Sequence, residues 1–242
     1  MNYETWRPVY EQILADFGFD RESDERARDE LADLTRCSGS TAEFDLRRLD
    51  VSGEVVAIAG AGPSLTDPDH SERPGQLDRA READAVFAAS TAADALRAEG
   101  VGVDCMVTDL DKKPETAREL TEEGTPVAAH AHGDNSNMVR KWIPRFDAES
   151  VLPTTQARPV AHVRNFGGFT DGDRAAFLAD HLGAGRLVFV GWDFEDPDVD
   201  PMKARKLAWA ERLLRWLEIR RGEEFGVLDG RRDGLGVGEF PD

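Results

Sequence analysis

The sequence predicts an α/β protein: a mostly parallel, doubly wound sheet flanked by helices, with an N-terminal helical segment. From Glu54 onward, short apolar runs alternate with stretches of helical periodicity, the pattern of parallel strands joined by crossover helices. Gly, Ser, Thr, His and Asp gather just after these runs, and in open parallel sheets ligands sit outside the carboxyl ends of the strands, so the clusters are expected in one crevice. The expected strands are Val55 to Ala59, Ala85 to Ala89, Val103 to Val107, Val127 to Ala129, a weaker one near Val151, and Leu187 to Val190. Helices are expected at Ala92 to Glu99, Pro114 to Glu123, Asn137 to Phe146, Gly172 to Leu182 and Met202 to Arg221. The last carries an apolar face of Leu207, Ala210, Leu213, Leu214 and Leu217, with Trp209 and Trp216 near its margins. Val227-Leu228 reads as a final short strand.

Residues 1–52 read as a helical segment packed on the core, and 53–242 as the α/β domain; two compact domains are the alternative at this length. Trp6, Tyr10, Ile13, Leu14 and Phe17 recur at helical spacing before Gly18. Ala27, Leu31 and Leu34 mark a second amphipathic helix, with Ser23 as its cap. Nothing in these helices is expected to carry chemistry.

The 48 acidic against 30 basic residues give a formal charge of -18, and lysine occurs only at 112, 113, 141, 203 and 206. This composition resembles that of halophilic proteins. It disfavours a nucleic-acid partner, because phosphates are neutralised by Lys and Arg and no basic stripe is visible. Cys37 and Cys105 are the only cysteines and form no CxxC, so neither a disulfide framework nor a structural zinc site is expected. No stretch approaches the ~20 apolar residues of a membrane span. The opening Met1-Asn2-Tyr3-Glu4 lacks a signal-peptide layout, so a cytoplasmic location is expected.

Chemistry concentrates after the apolar runs. Asp109 and Asp111, spaced i, i+2, project to one side if the segment is extended, and two convergent carboxylates suit Mg²⁺; a solvated acidic loop is the other reading. Gly60-Ala61-Gly62-Pro63-Ser64-Leu65 offers backbone N–H groups to a phosphate, or is simply a tight turn. It is neither a Walker A loop nor a GxGxxG fingerprint. Ser90-Thr91 closes the second strand. His130 and His132, beside Asp134 and Asn135, are candidates for general base, phosphate contact or metal ligand, and do not by themselves secure a zinc site. In Asn165-Phe166-Gly167-Gly168-Phe169-Thr170-Asp171-Gly172-Asp173-Arg174, capping accounts for Thr170 and one aspartate, while the glycines free the backbone for close approach to a ligand. Trp192-Asp193 sets an aromatic plane beside a carboxylate, equally a core tryptophan next to a solvated acid. Lys203 and Lys206 are either anion contacts or solvated helix positions.

Taken in order, GxGPSL, the Ser-Thr strand end, Asp-x-Asp, HxHGDN, GGFTDGDRA and GWDF resemble the archaeal MptE-like 6-hydroxymethyl-7,8-dihydropterin diphosphokinases, over about residues 54–220. That family is related in fold to the catalytic domain of thiamine pyrophosphokinase. The resemblance implies a Rossmann-like fold and transfer of the β,γ-diphosphate of ATP to the pterin hydroxymethyl group, with Mg²⁺ required and AMP released, in folate or tetrahydromethanopterin biosynthesis. It implies metal binding by Asp109, Asp111 and Asp171, with Asp134 a further candidate. Nucleotide contacts then fall to Gly60, Gly62, Pro63, Ser64, Ser90, Thr91, Asn165, Gly168, Thr170 and Arg174. His132 or an aspartate takes the hydroxyl proton. His130, Asp134, Asn135, Trp192 and Asp193 are left to the substrate, with a carboxylate for the pterin N–H groups and Trp192 or Phe169 to stack on the ring. Glu195 to Pro201 departs from the family pattern. Diphosphate transfer to another alcohol such as thiamine, a nucleotide-sugar-binding glycosylation-related role, and a non-catalytic nucleotide-binding module are the alternatives. A homodimer is a possible assembly.

Self-repulsion at this charge opposes compaction in dilute buffer, whereas at about 1 M salt the screening length falls to roughly 3 Å. The melting temperature is therefore expected to rise steeply between dilute buffer and multimolar KCl; a flat response contradicts the reading.

Overall fold

A computed structural model describes residues 1–37, 43–67 and 75–241. Two helices lead, α1 (Tyr3–Phe17) and α2 (Arg21–Cys37). Then come β1 (Val55–Ala59), α3 (Gln76–Glu82), β2 (Ala85–Ala89), α4 (Ala92–Ala98), β3 (Cys105–Thr108), α5 (Pro114–Glu122), β4 (Val127–Ala131) and α6 (Ser136–Trp142). The chain closes with β5 (Val151–Thr155), α7 (Asp171–His181), β6 (Arg186–Val190) and α8 (Pro201–Arg221). The six strands form one sheet of order β5-β4-β3-β2-β1-β6. Most strand residues are buried without alternation, as in a sheet covered on both faces. The α/β class read from the sequence is the one observed. No helix among the described residues is long and apolar enough to cross a membrane.

The chain divides into two compact units. The first comprises Met1–Asp50 and Cys105–Gly167, the second Val51–Asp104 and Gly168–Phe240. In the first, β3 pairs with β4 and β4 with β5, all parallel, with Thr108 opposite Ala129 and Ala131 opposite Thr155. Helix α1 buries Trp6, Val9, Tyr10 and Ile13 and ends at Gly18, whose φ of 70° suits the left-handed residue after a helix. Phe17 is only half-buried and stacks on Phe19 at 5.2 Å. Helix α2 packs on β4, β5 and α6. Its cap is Asp20 rather than Ser23: the N–H groups of Glu22 and Ser23 donate to the Asp20 carboxylate at 3.3 and 3.0 Å. The Ser23 hydroxyl itself donates to Asp20 at 2.6 Å, because an acceptor-only carboxylate outcompetes a hydroxyl for those donors.

In the second unit, β1 lies between β2 and β6 in parallel register, Ile58 opposite both Phe87 and Phe189, and Ala59 opposite Val190. The direction of strand addition reverses at β1, and helix α7 covers β1 and β2. On α8, Trp209 and Trp216 are buried rather than marginal, because Phe240 stacks on Trp209 and Phe177 packs on Trp216; Leu207 is only half-buried. Val227-Leu228 is not a strand. Residues Gly226–Leu228 make a 3-10 turn, closed by the Leu228 N–H donating to Phe225 O.

Level ends of β1 and β6 force their following turns together. A Cβ on Gly60 would stand 2.5 Å from the Gly191 carbonyl oxygen, a backbone atom with no room to retreat. Gly60→Ala is expected to cost about 1–3 kcal/mol in denaturant unfolding with an unchanged slope. No loss of stability would mean that the two turns do not meet in this way.

Candidate active site

In the first unit, β3 ends at Thr108, whose Oγ1 accepts the Leu110 N–H at 3.0 Å. Leu110 has a φ of +67° and a fully buried side chain. A left-handed leucine costs roughly 1–2 kcal/mol, which burial of its side chain, worth about 1.5–3 kcal/mol, offsets. This turn, not the alternation of an extended strand, brings Asp109 and Asp111 to one side; the Asp111 N–H also donates to Asp109 Oδ1 at 3.2 Å. The expectation of strand alternation is corrected here: the strand stops one residue too soon for it.

His132 follows β4. One ligand atom each from Asp109, Asp111 and His132 lie within 4.8 Å of one another, with Asp111 exposed and the other two half-buried. His132 Nε2 is 3.7 Å from Asp109 Oδ2, and its Nδ1 accepts the Asp134 N–H at 3.3 Å. An Nδ1 acceptor assigns the neutral tautomer's proton to Nε2, which then faces the Asp109 carboxylate. At 3.7 Å this approach is too long for a hydrogen bond, and the two carboxylates are the candidate hard oxygen ligands. Two carboxylates with an open, solvated side fit Mg²⁺, which keeps several waters and takes oxygen rather than imidazole. The exposed Asp134 is not among the three clustered groups.

Asn135 holds these parts in register. Its Nδ2 donates to Asp109 O and His130 O, both at 2.7 Å, and its Oδ1 accepts the His132 N–H at 2.9 Å, all with the residue fully buried. These bonds are a brace and not an open contact surface. His130 is also buried; Thr154 donates to Ala129 O at 3.2 Å, so the His130 Nδ1 to Thr154 Oγ1 contact at 3.0 Å has the imidazole as donor. Asn165 folds its own loop, donating to Gln156 O and Ala157 O at 2.9 and 2.8 Å and accepting the Gly167 N–H at 2.8 Å.

In the second unit, the N–H groups of Gly60, Gly62 and Ser64 are engaged within the protein, as in the tight-turn reading of this stretch. Gly60 N–H donates to Val190 O, Gly62 N–H to Gly191 O, and Ser64 N–H to Asp193 Oδ2, each at 2.9 Å. Asp193 sits so close that a Cβ on Gly62 would meet its Oδ2 at 2.3 Å. The glycines thus serve turn-to-turn packing, and one oxygen of Asp193 is taken up in it; Pro63 opens a 3-10 turn, Pro63–Leu65, with Ser64 buried. After β2, Ser90 has a φ of +46° and Thr91 precedes α4.

Thr170 caps α7. The N–H groups of Phe169 and Thr170 and the Thr170 hydroxyl all donate to Asp173, the hydroxyl at 2.7 Å, so Asp173 is the capping aspartate. Burial pushes the Asp173 carboxyl above the usual range, against those hydrogen bonds. Asp171 accepts from Arg174 Nη1 at 3.0 Å, a pair little exposed on either side. Gly168, at a φ of +92°, lets this turn lie against the Arg174 backbone, where a Cβ would be 2.6 Å from Arg174 Cα. Trp192 donates from Nε1 to Ile58 O at 3.0 Å and lays its ring on Gly172, whose added Cβ would stand 2.7 Å away. Its indole is therefore clamped, partly exposed, with Phe189 edge-on at 5.6 Å. Lys206 lies over Phe169 at 6.0 Å.

Sequence reasoning passed over Asp24, whose Oδ1 accepts the Gly133 N–H at 2.8 Å. Its signal was an acid three and seven residues before the apolar Ala27 and Leu31, on the inner face of α2. Asn135→Ala would leave three buried polar groups without their partner, at about 1–3 kcal/mol each at most. Destabilisation of at least about 2 kcal/mol in chemical unfolding, with weakened divalent-metal binding, is the expected result; unaltered metal binding would separate Asn135 from the acidic cluster.

Residues 34–199 match the family model described as 6-hydroxymethylpterin diphosphokinase MptE-like. Over 237 residues, 92% of this chain and 97% of the relative, it is 41% identical to the protein of Methanothermobacter thermautotrophicus named 6-hydroxymethyl-7,8-dihydropterin pyrophosphokinase. Proteins of the same name from Pyrococcus furiosus (35% identity, covering 90% of this chain and 95% of the relative) and Methanocaldococcus jannaschii (31%, covering 93% and 99%) are also similar. The match begins at 34, within α2, ahead of the 54 read from the motifs. With the strand-end acids, HxHGDN and the capped GFTDGDRA turn all in place, the chain belongs to the MptE-like family of 6-hydroxymethylpterin diphosphokinases.

Proposed function

We propose that this chain is an ATP- and Mg²⁺-dependent diphosphokinase that converts 6-hydroxymethyl-7,8-dihydropterin to its diphosphate, releasing AMP. The acceptor is the one in the relatives' names, over 92% of this chain at 41% identity, and that observation favours it over thiamine and over a nucleotide sugar. The single structural observation that carries the chemistry is the convergence of Asp109, Asp111 and His132. In the reaction the pterin hydroxyl oxygen bonds to the β-phosphorus, the bond from that phosphorus to the α,β-bridging oxygen breaks, and AMP departs with the electron pair. The hydroxyl proton passes to a base, for which the aspartates are the candidates, and His132 becomes one only when Nδ1 gives up the Asp134 N–H.

Roles divide by unit. In the first, Asp109 and Asp111 would hold the metal, which when bound would neutralise phosphate charge, with His132 beside Asp109 and Asn135 fixing both loops. Asp134 is exposed for the substrate, and His130 and Asn165 shape their loops from inside. In the second, Arg174, Thr91, Ser90 and the backbone around Gly168 and Thr170 are the nucleotide candidates, with Asp171 setting the Arg174 guanidinium rather than competing for metal. Trp192 and the free side of Asp193 remain candidates for the flat, N–H-bearing pterin. The composition supports a cytoplasm rich in salt, and a homodimer is compatible with the same reading.

Asp109→Asn and Asp111→Asn are each expected to lower pterin-dependent AMP release by about 10²-fold or more at high salt, by analogy with losses of single preorganised charge-stabilising groups. Full activity in either variant would refute the metal role.

A further inference from the structure

The N-terminal helices reach the metal-site loop through one buried carboxylate. Asp24, in the first turns of α2, is 3% exposed. Its Oδ1 accepts the Gly133 N–H at 2.8 Å, and its Oδ2 accepts the Tyr10 hydroxyl at 2.7 Å and Gln156 Nε2 at 2.8 Å. Three donors from three separate segments converge on a group that only accepts, and no neutral side chain of this size accepts all three. The Gly133 backbone is pressed against the start of α2, where an added Cβ would meet Ser23 Cβ at 2.7 Å. Gly133 directly follows His132, whose own N–H is fixed by Asn135 and whose imidazole faces Asp109. The HxHGDN loop is thus held from both sides, by Asn135 and by Asp24. Gln156, the third partner, also receives Trp6 Nε1 and Asn165 Nδ2 on its carbonyl oxygen at 3.2 and 2.9 Å. Burial, and then the Asp24 carboxylate, push the Tyr10 phenol well above its ordinary range, which keeps it a donor.

We infer that Asp24 is a positioning residue for divalent-metal binding: it fixes the Gly133 backbone and through it the approach of His132 to Asp109, so the N-terminal helices are a working part of the metal site. This rests on reading Asp109, Asp111 and His132 as that site. A merely structural Asp24 would contribute stability and leave metal affinity untouched.

The test titrates the full-length chain with Mn²⁺ at high salt, following free Mn²⁺ by electron paramagnetic resonance, and records melting curves without metal. The set is wild type, Asp24→Ala, Asp24→Asn, Tyr10→Phe and Asp109→Asn, with Ile13→Ala as a purely apolar deletion in α1. Asp24→Ala is expected to weaken Mn²⁺ binding about ten-fold or more, in the range for lost outer supports of metal ligands, with Asp24→Asn restoring part of it. Tyr10→Phe shifts it less, since the Gly133 bond survives. Ile13→Ala lowers the melting temperature with Mn²⁺ affinity intact. In turnover, Asp24→Asn raises the half-saturating Mg²⁺ more than it lowers kcat. If Asp109→Asn weakens Mn²⁺ binding while both Asp24 variants and Tyr10→Phe match wild type, the positioning role is overturned and the metal site stands. If Asp109→Asn itself leaves Mn²⁺ binding unchanged, the metal site falls and the inference with it. Should Asp24→Ala fail to fold, Asp24→Asn and Tyr10→Phe carry the same comparison.

Discussion

The Asn135 amide reaches the backbone at two strand ends at once, and the geometry of the acidic cluster depends on it. Donating to Asp109 O and His130 O, and accepting from His132 N–H, it uses both amide protons and its oxygen inside the first unit. Without such a clamp, the turn after β3 and the turn after β4 would each be free to relax, and the left-handed Leu110 would lose the surroundings that make its strain tolerable. In the proposed role as a metal site the carboxylate pair would need fixed oxygen positions, because Mg²⁺ demands near-ideal octahedral geometry. Buried amide and carboxylate bonds from Asn135 and Asp24 supply that rigidity from both sides of the loop.

In the second unit the same need is met by different means. Two glycine-bearing turns pack backbone to backbone after β1 and β6, and the Asp193 carboxylate ties them by accepting the Ser64 N–H. Around α7, Asp173 takes the N-terminal donors and leaves Asp171 to its neighbour Arg174. Gly172 is small because the Trp192 ring lies on it. These are close approaches that only glycine permits, and they fix the turns against their neighbours.

Much of this was legible in the sequence. The alternation of apolar runs with helical stretches placed all six strands, since strands buried on both faces read as unbroken apolar runs. Motif order pointed to the family, and the capping function of one aspartate in TDGD followed from helix-terminus chemistry. What could not be read were features set by tertiary contact. Nothing in the sequence marks Leu110 for a left-handed conformation, because burial and not propensity holds it there. The glycines at 60 and 62 looked like a phosphate cradle, yet which partner takes an N–H depends on the turn opposite, some 130 residues away in sequence. Asp24 was visible only as an acid on an apolar helix face, a signal that gains meaning once Gly133 is seen beside it. Whether Trp192 stacks on a ligand or is clamped by Gly172 and Ile58 likewise turns on packing.

The proposed diphosphate transfer to a pterin alcohol depends on a metal held at the carboxylate turn. Phosphorus-31 magnetic resonance of the products, from ATP, Mg²⁺ and 6-hydroxymethyl-7,8-dihydropterin at high salt, tests it most directly. The expected products are AMP and a pterin-linked diphosphate in equal amounts, neither of which forms when Mg²⁺ is withheld. Formation of ADP with a pterin monophosphate, or AMP release indifferent to the pterin, would contradict it.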